Sequence, residues 1–239
     1  MKINGITLVV AVDDVHAKEL QLSLPTWVKH KAEISTIECV VLIEPVTQTD
    51  VSFINEHLDN VSYHYLRERN GNESQREYML SSFIHVAPKV VNTDWWLKID
   101  TDVVATFPCR WFELDWFSGN AFVASPWKYT KPAGMLDQCD TFFSGDIRRG
   151  GNKPEREISK DGKKAFSSRI ISWLMFVNTN FSRELTNRCG GKMPCPSQDT
   201  LSWYYAEMLG WEYLKVRFSK LGWSHVSPKK LPELNRIYS

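Results

Sequence analysis

Two aspartates separated by one residue, Asp100 and Asp102, form the first group in the sequence whose types and spacing suggest chemistry. They follow the apolar run Trp95–Ile99, which predicts a buried β-strand, so both carboxylates would emerge at its C-terminal tip. Two like charges this close repel each other, and a bound cation relieves the repulsion. Mg²⁺ and Mn²⁺ bind carboxylates together with substrate phosphates. The pattern favours a divalent-metal site over a solvated turn.

Two familiar phosphate-binding motifs are missing from the chain. It contains neither GxxxxGK[ST] nor GxGxxG, the glycine-rich turns that bind nucleotide phosphates in other α/β proteins. An α/β protein that binds a nucleotide without them must neutralise the phosphate charge in another way. A divalent cation held by Asp100 and Asp102 is one such way, so the two aspartates would bind a phosphorylated ligand through the metal.

The elements that would position these aspartates alternate between strand and helix. Asn72–Ala87 predicts a helix, because it opens with capping-box spacing and carries an apolar stripe at i, i+3, i+4 and i+7. A helix over Val15–Leu24 is expected to end at Pro25. Strands are predicted at Ile6–Val12, Ile37–Ile43, Val61–Leu66 and Trp95–Ile99. This alternation predicts an α/β fold with a mostly parallel central sheet flanked by helices, in which ligands bind beyond the carboxyl ends of the strands.

The second half of the chain is less regular. The segment Arg148–Arg169 holds eight Arg or Lys and three Asp or Glu residues, a local charge of +5. Such a segment buries little surface, so we expect a mobile loop, either a lid over a negatively charged ligand or a solvated charge run. Regular elements are predicted at Ala121–Ser125, Ser172–Val177 and Glu212–Arg217 (strands) and at Thr200–Leu209 (a helix).

Composition argues against several classes of function. The chain has 239 residues and a net charge of +1, so no global field attracts nucleic acid or an anionic membrane. No apolar run approaches the roughly 20 residues that span a bilayer, and five scattered cysteines, an odd number, argue against a disulfide scaffold. We therefore expect a cytoplasmic protein with reduced thiols and no transmembrane segment. Ten tryptophans indicate a large aromatic core or rings that stack on a sugar.

Over most of its first hundred residues the chain resembles the nucleotide-binding half of GT-A fold glycosyltransferases, most nearly glycosyltransferase family 2. The likeness rests on the pieces ITLVVAVDD, VVLIEP, SQREYMLSSFIHVA and WWLKIDTDVV, in that order. It implies that Asp13 and Glu44 approach the uracil or other base and that Arg76 lies near the diphosphate. It also implies that Asp100 and Asp102 hold the metal, with Asp100 contributing to donor binding. Surface or helix-cap roles are the alternatives for Asp13, Glu44 and Arg76.

The second half carries three further marks of the same resemblance. PSQDTLSWYYAEMLGWEYLKV is similar to the family's acidic motif, with the first acid replaced by glutamine. The retained Asp199 is implied to be the base that takes a proton from an acceptor hydroxyl, and its alternative role is a helix-end acid. His225 in GWSHVSP is implied as a further metal ligand, or else a packed residue. Trp127 and Trp173 fall on the implied acceptor side, with core packing the alternative for Trp173.

The resemblance implies a single GT-A-like domain over residues 1–239, with a donor half at about 1–105 and an acceptor half at about 106–239. The expected activity is Mn²⁺- or Mg²⁺-dependent transfer of a sugar from a nucleotide sugar, with UDP favoured, to a glycan, lipid or protein hydroxyl, with inversion. A retaining glycosyltransferase, a nucleotidyltransferase and a non-catalytic carbohydrate-binding protein are alternatives. A nucleotidyltransferase usually carries a Gly-rich, Arg-containing loop after its first strand, and this chain has none there. A purely carbohydrate-binding function would not explain Asp100, Asp102 and Asp199 together.

Overall fold

The computed structural model describes residues 5–126, 131–158, 164–166 and 170–238. Its strands are β1 (Ile6–Val12), β2 (Glu38–Ile43), β3 (Asn60–Tyr65), β4 (Trp95–Ile99), β5 (Val103–Ala105), β6 (Asn120–Pro126), β7 (Lys131–Pro132), β8 (Glu157–Ile158), β9 (Lys164–Phe166), β10 (Ile170–Asn178), β11 (Glu212–Lys215) and β12 (Trp223–His225). Its α-helices are α1 (Asp14–His30), α2 (Gln75–His85), α3 (Ala87–Val90), α4 (Ala133–Phe142), α5 (Ser144–Arg148), α6 (Thr179–Cys189), α7 (Gln198–Leu209) and α8 (Leu231–Tyr238). Within these ranges, none of the helices combines the length and the apolar character that crossing a bilayer requires.

A seven-stranded sheet passes through the middle of the fold in the order β3-β2-β1-β4-β10-β6-β11. All of its strands run in one direction except β10, which is antiparallel to both of its neighbours. The mostly parallel central sheet expected from the sequence is therefore confirmed. Two small sheets accompany it: β5 pairs with β12, and β9 lies between β7 and β8.

Helices cover both faces of the central sheet, and all seven residues of β1 are therefore buried, six of them apolar and one, Thr7, polar. On one face, α1 packs Leu20 and Trp27 into the same cluster as Val10. On the other face, Phe83 of α2 stacks on Trp96 of β4, with ring centroids 6.5 Å apart. Burial of each such side chain contributes about 1.5–3 kcal/mol. These contacts fix the strand ends, where the candidate site lies.

Helix α1 runs through Pro25 for more than another turn, so the predicted end of this helix is wrong. Proline lacks the N–H that would bond the carbonyl four residues earlier, and it disturbs the preceding turn. Tertiary contacts offset this loss. Leu22 O accepts a hydrogen bond from Asn235 Nδ2, and the fully buried Trp27 donates its indole N–H to Val103 O at 2.6 Å. The helix is therefore held by the molecule around it rather than by local propensity.

The basic segment Arg148–Arg169, for which the sequence predicts a mobile loop, contains the short strands β8 and β9. Arg156 lies 3.0 Å from carboxylate oxygens of both Asp137 and Asp140, which belong to α4. These ion pairs neutralise part of the local positive charge and hold this end of the segment against the helix. Other residues of the segment lie outside the described ranges, and its mobility and its role as a lid stay predictions.

Candidate active site

A cavity of about 560 Å³ opens beyond the carboxyl ends of β1 and β4, beside the start of β10. Helices α2 and α7 supply two of its walls, and β12 reaches it with its last residue. Six of the residues singled out in the sequence line it: Arg76, Asp100, Asp102, Trp173, Asp199 and His225. Asp13 and Glu44 do not line it, and Trp127 lies outside the described residues. The position agrees with the expectation that ligands bind at the carboxyl edge of the sheet.

Asp100, Asp102 and His225 come together at this cavity. After β4 ends, a turn closed by a hydrogen bond from Val103 N to Asp100 O (3.1 Å) presents both carboxylates. Strand β5 then pairs antiparallel with β12, which sets His225 opposite Val103. His225 Nε2 lies 3.3 Å from Asp102 Oδ1. One possible ligand atom from each of the three side chains lies within 4.8 Å of the other two.

This set of donor atoms fits a divalent cation. Two carboxylates and one imidazole are ligands that Mn²⁺ accepts, and the Asp100 side chain is 37% exposed, so a substrate phosphate can reach the site. The His225 ring stacks on Trp173 with centroids 6.0 Å apart, which fixes the orientation of the imidazole. The hydrogen bond to Asp102 raises the pKa of His225 more than burial lowers it. The geometry thus supports all three predicted ligands.

Lys98 is a residue of this site that sequence reasoning missed. Its side chain is only 2% exposed, and its ammonium donates hydrogen bonds to Asp100 Oδ1 and, at 2.6 Å, to Ser172 O. It also lies 5.0 Å from the centre of the Phe83 ring. The sequence does contain a signal for it: Lys98 is a single lysine in an otherwise apolar strand, two residues before Asp100. Residues i and i+2 of a strand face the same way, so a lysine at this position can reach the aspartate.

Asp199 lies in the first turn of α7, on the cavity wall. Ser197, the N-cap of this helix, donates its hydroxyl to Asp199 Oδ1, which also accepts a hydrogen bond from Thr200 N at 3.0 Å. The side chain is therefore oriented by two donors while the residue stays 6% exposed. Beside it, Gln198 is 2% exposed and lines the cavity, and its Oε1 has no hydrogen-bond partner among the described residues. A buried acceptor of this kind is suited to a hydroxyl of a bound ligand.

Asp13 and Glu44 follow β1 and β2 and are joined by a third side chain. Gln75 Nε2 donates to Asp13 Oδ2 at 2.9 Å and to Glu44 Oε2 at 2.7 Å. Asp13 is also the N-cap of α1, accepting from the backbone N–H groups of Val15 and His16. Burial alone would raise the pKa of Asp13, but hydrogen bonds from His16 and Gln75 hold it well below its ordinary value. The structure shows the capping role, and contact with a base stays a prediction.

Three further residues of the cavity wall, His16, Glu19 and Thr101, carried no recognisable motif in the sequence. Thr101 Oγ1 donates to Glu19 Oε2 at 2.6 Å, and His16 Nδ1 lies 2.7 Å from Asp13 Oδ1. Burial raises the pKa of Glu19. Arg76 is exposed at the start of α2, lines the cavity and forms no ion pair with a carboxylate of the described residues. Its role near a diphosphate stays a prediction.

No protein-family model and no curated protein sequence matches the chain. Solved structures resemble it in fold. The mannosyltransferase Ktr4p from S. cerevisiae matches with a TM-score of 0.63 at 11% identity, over 87% of this chain and 66% of that one. Core-mannan synthase A from Aspergillus fumigatus, in its Mn/GDP form, matches with a TM-score of 0.62 at 8% identity, over 86% and 70%. The bifunctional glycosyltransferase WbbM, in its apo form, matches with a TM-score of 0.51 at 12% identity, over 88% of this chain and 38% of that one.

These likenesses, at such low identities, show the fold alone. The chain has the GT-A glycosyltransferase fold, which confirms the fold implied by its sequence. The mannosyltransferase and the synthase are longer than this chain, which covers about two thirds of each. Assignment to family 2 in particular stays a prediction.

Proposed function

We propose that this protein is a metal-dependent glycosyltransferase that moves a sugar from a nucleoside diphosphate sugar to an acceptor hydroxyl. One observation carries the proposal: in a GT-A fold, Asp100, Asp102 and His225 meet at the wall of a large cavity at the carboxyl edge of the sheet. A divalent cation, when bound, neutralises the donor diphosphate and stabilises the charge that develops on the leaving nucleotide. The donor half would be about residues 1–105 and the acceptor half about residues 106–239.

The chain's own residues divide the remaining work. Asp100, Asp102 and His225 bind the cation, and Arg76 supplies a positive charge near the diphosphate. Asp199 is the base: its carboxylate, held by the start of α7, takes the proton of the acceptor hydroxyl. The acceptor then attacks the anomeric carbon from the face opposite the leaving nucleotide, which gives inversion.

The acceptor side of the cavity is assigned to Trp173 and its neighbours. Trp173 is 8% exposed and lines the cavity, with its ring stacked on His225. An aromatic ring at this place suits the apolar face of a sugar, whether the acceptor is a glycan or a glycosylated lipid or protein. Trp127 keeps the acceptor role implied by the resemblance.

The donor base is the part of the proposal on which two lines of support differ. The sequence resemblance favours a UDP-sugar. The Aspergillus core-mannan synthase was solved in an Mn/GDP form, and the yeast mannosyltransferase was also solved with GDP. We propose a hexose donor of the UDP class, with GDP-mannose the direct competitor in the experiment below.

A donor screen tests the proposal. UDP-, GDP- and dTDP-sugars are incubated with the protein and Mn²⁺, and release of the nucleoside diphosphate is measured with and without EDTA. We expect release with one donor class, abolished by EDTA, and an anomeric configuration opposite to that of the donor in the NMR spectrum of the early product. Retention at the anomeric carbon would favour the retaining alternative, and a protein that binds sugar but releases nucleotide from no donor would be a non-catalytic carbohydrate binder.

A further inference from the structure

Lys98 is the most deeply buried charged group at the candidate metal site, and the proposed function assigns it no role. Its side chain is 2% exposed, whereas that of Asp100, its ion-pair partner, is 37% exposed. The backbone carbonyl of Ser172, 2.6 Å away, fixes the ammonium from the start of β10. The ring of Phe83 lies on another side, 5.0 Å from the nitrogen. The ammonium is therefore held in place beside the carboxylate that a cation needs.

The charges of the site depend strongly on this lysine. Asp100 and Asp102 together carry two negative charges, and the ammonium of Lys98 cancels one of them. A divalent cation that binds there meets a reduced negative field and a like charge that cannot turn away into water. Repulsion between charges a few ångströms apart is strong at an almost fully buried group, because water and salt screen it weakly. The two negative charges of a nucleotide-sugar diphosphate would restore the attraction.

We propose that Lys98 is a positioning residue that couples metal binding to nucleotide binding. In the free protein it occupies Asp100 Oδ1 and weakens the site for a lone cation. When a nucleoside diphosphate enters, its charge offsets the ammonium, and the cation binds tightly as part of a metal–nucleotide pair. This inference rests on the proposed function, since it assigns the order in which the same site fills.

Mn²⁺ binding measured by electron paramagnetic resonance tests the inference without any turnover. Free Mn²⁺ is titrated against wild type and Lys98→Met, each alone and with saturating GDP or UDP. Lys98→Gln serves as a second charge-free variant that can still donate to Ser172 O, in case the methionine variant folds poorly. Lys89→Met is the matched control, because Lys89 is exposed on α3, just before the amino end of β4 and therefore at the edge of the sheet opposite the cavity.

In the absence of nucleotide, both Lys98 variants are expected to bind Mn²⁺ at least about tenfold more tightly than wild type, as removal of a nearby like charge requires. With nucleotide bound, the diphosphate offsets the ammonium, so the Mn²⁺ affinity should change little in the variants. The ratio of Mn²⁺ affinities with and without nucleotide, which measures the coupling, should therefore fall by about the same factor. Lys89→Met should change neither quantity.

Two results would overturn the inference. They differ in whether the proposed function survives. In the first, wild type binds Mn²⁺ in the presence of nucleotide, but both Lys98 variants bind Mn²⁺ alone no more tightly than wild type does. Lys98 then has only a structural role in the sheet, and the proposed function stands. If no variant and no wild-type sample binds Mn²⁺ under any condition, the proposed metal site falls together with the inference.

Discussion

Replacing Asp199 by asparagine distinguishes between its two possible roles, the catalytic base and an acid that only stabilises the helix end. The amide keeps an oxygen that can accept the hydrogen bonds now made by Ser197 Oγ and Thr200 N, so the start of α7 should survive. We expect the free energy of unfolding to change by less than about 1 kcal/mol, the usual scale of one hydrogen bond. The proton acceptor is lost, however, and turnover should fall by about 10²–10⁴-fold.

That loss corresponds to roughly 3–5 kcal/mol of transition-state stabilisation. The assay measures transfer rate and donor affinity separately, because lost turnover at unchanged donor affinity marks a group that acts in the chemical step. Glu207→Gln is the matched control: it makes the same carboxylate-to-amide change on the same helix, at a residue that accepts a hydrogen bond from Tyr213 and does not line the cavity. Turnover of Asp199→Asn within about twofold of the Glu207→Gln value would refute the assignment of Asp199 as the base.

Three further changes test how the fold holds the site. Trp27→Phe leaves a buried β5 carbonyl without its indole donor, so we expect about 1–3 kcal/mol less stability toward urea. Asp13→Asn should make the free energy of unfolding depend less on pH in acid. The pKa of Asp13 is lower in the folded protein than in the unfolded chain, so its carboxylate stabilises the fold above about pH 4 and this stabilisation is lost as the pH falls. Urea unfolding of both proteins between about pH 3 and 6 measures the difference. Gly222→Ala places a Cβ 2.8 Å from Phe107 O at a φ of +73°, just before β12. It should lower both thermal stability and Mn²⁺ affinity, whereas Gly210→Ala, at a φ of +75° with open space around it, should lower stability alone. Equal Mn²⁺ affinities in the two glycine variants would contradict the role of β12 in placing His225.

Local sequence patterns were sufficient where one element determines the geometry. The apolar run of β4 places Asp100 and Asp102 at a strand tip without reference to any other part of the chain. The capping box of α2, with Ser74 and Glu77 bonded reciprocally, was readable from four residues. The start of α7 at Gln198, beside Asp199, was likewise close to its predicted position.

Contacts between distant segments could not be read in this way. His225 reaches the metal site only because β12 pairs with β5, more than a hundred residues earlier in the chain, and three-residue strands have too little pattern to predict that pairing. Gln75 joins Asp13 to Glu44 through a side chain that looks like an ordinary residue of a first helical turn. Helix α1, which continues past Pro25, accepts a hydrogen bond at Leu22 O from Asn235 of α8, more than two hundred residues later.

The proposed function depends on a divalent cation that Asp100, Asp102 and His225 bind and that holds a nucleotide diphosphate. Calorimetric titration of the nucleoside diphosphate selected by the donor screen, in Mn²⁺ and again in EDTA, tests it most directly when wild type is compared with Asp102→Asn. We expect Mn²⁺-dependent binding to wild type and its loss in the variant, with similar melting temperatures because asparagine keeps the shape of the side chain. Equal nucleotide affinities for the two proteins, unaffected by EDTA, would contradict the claim.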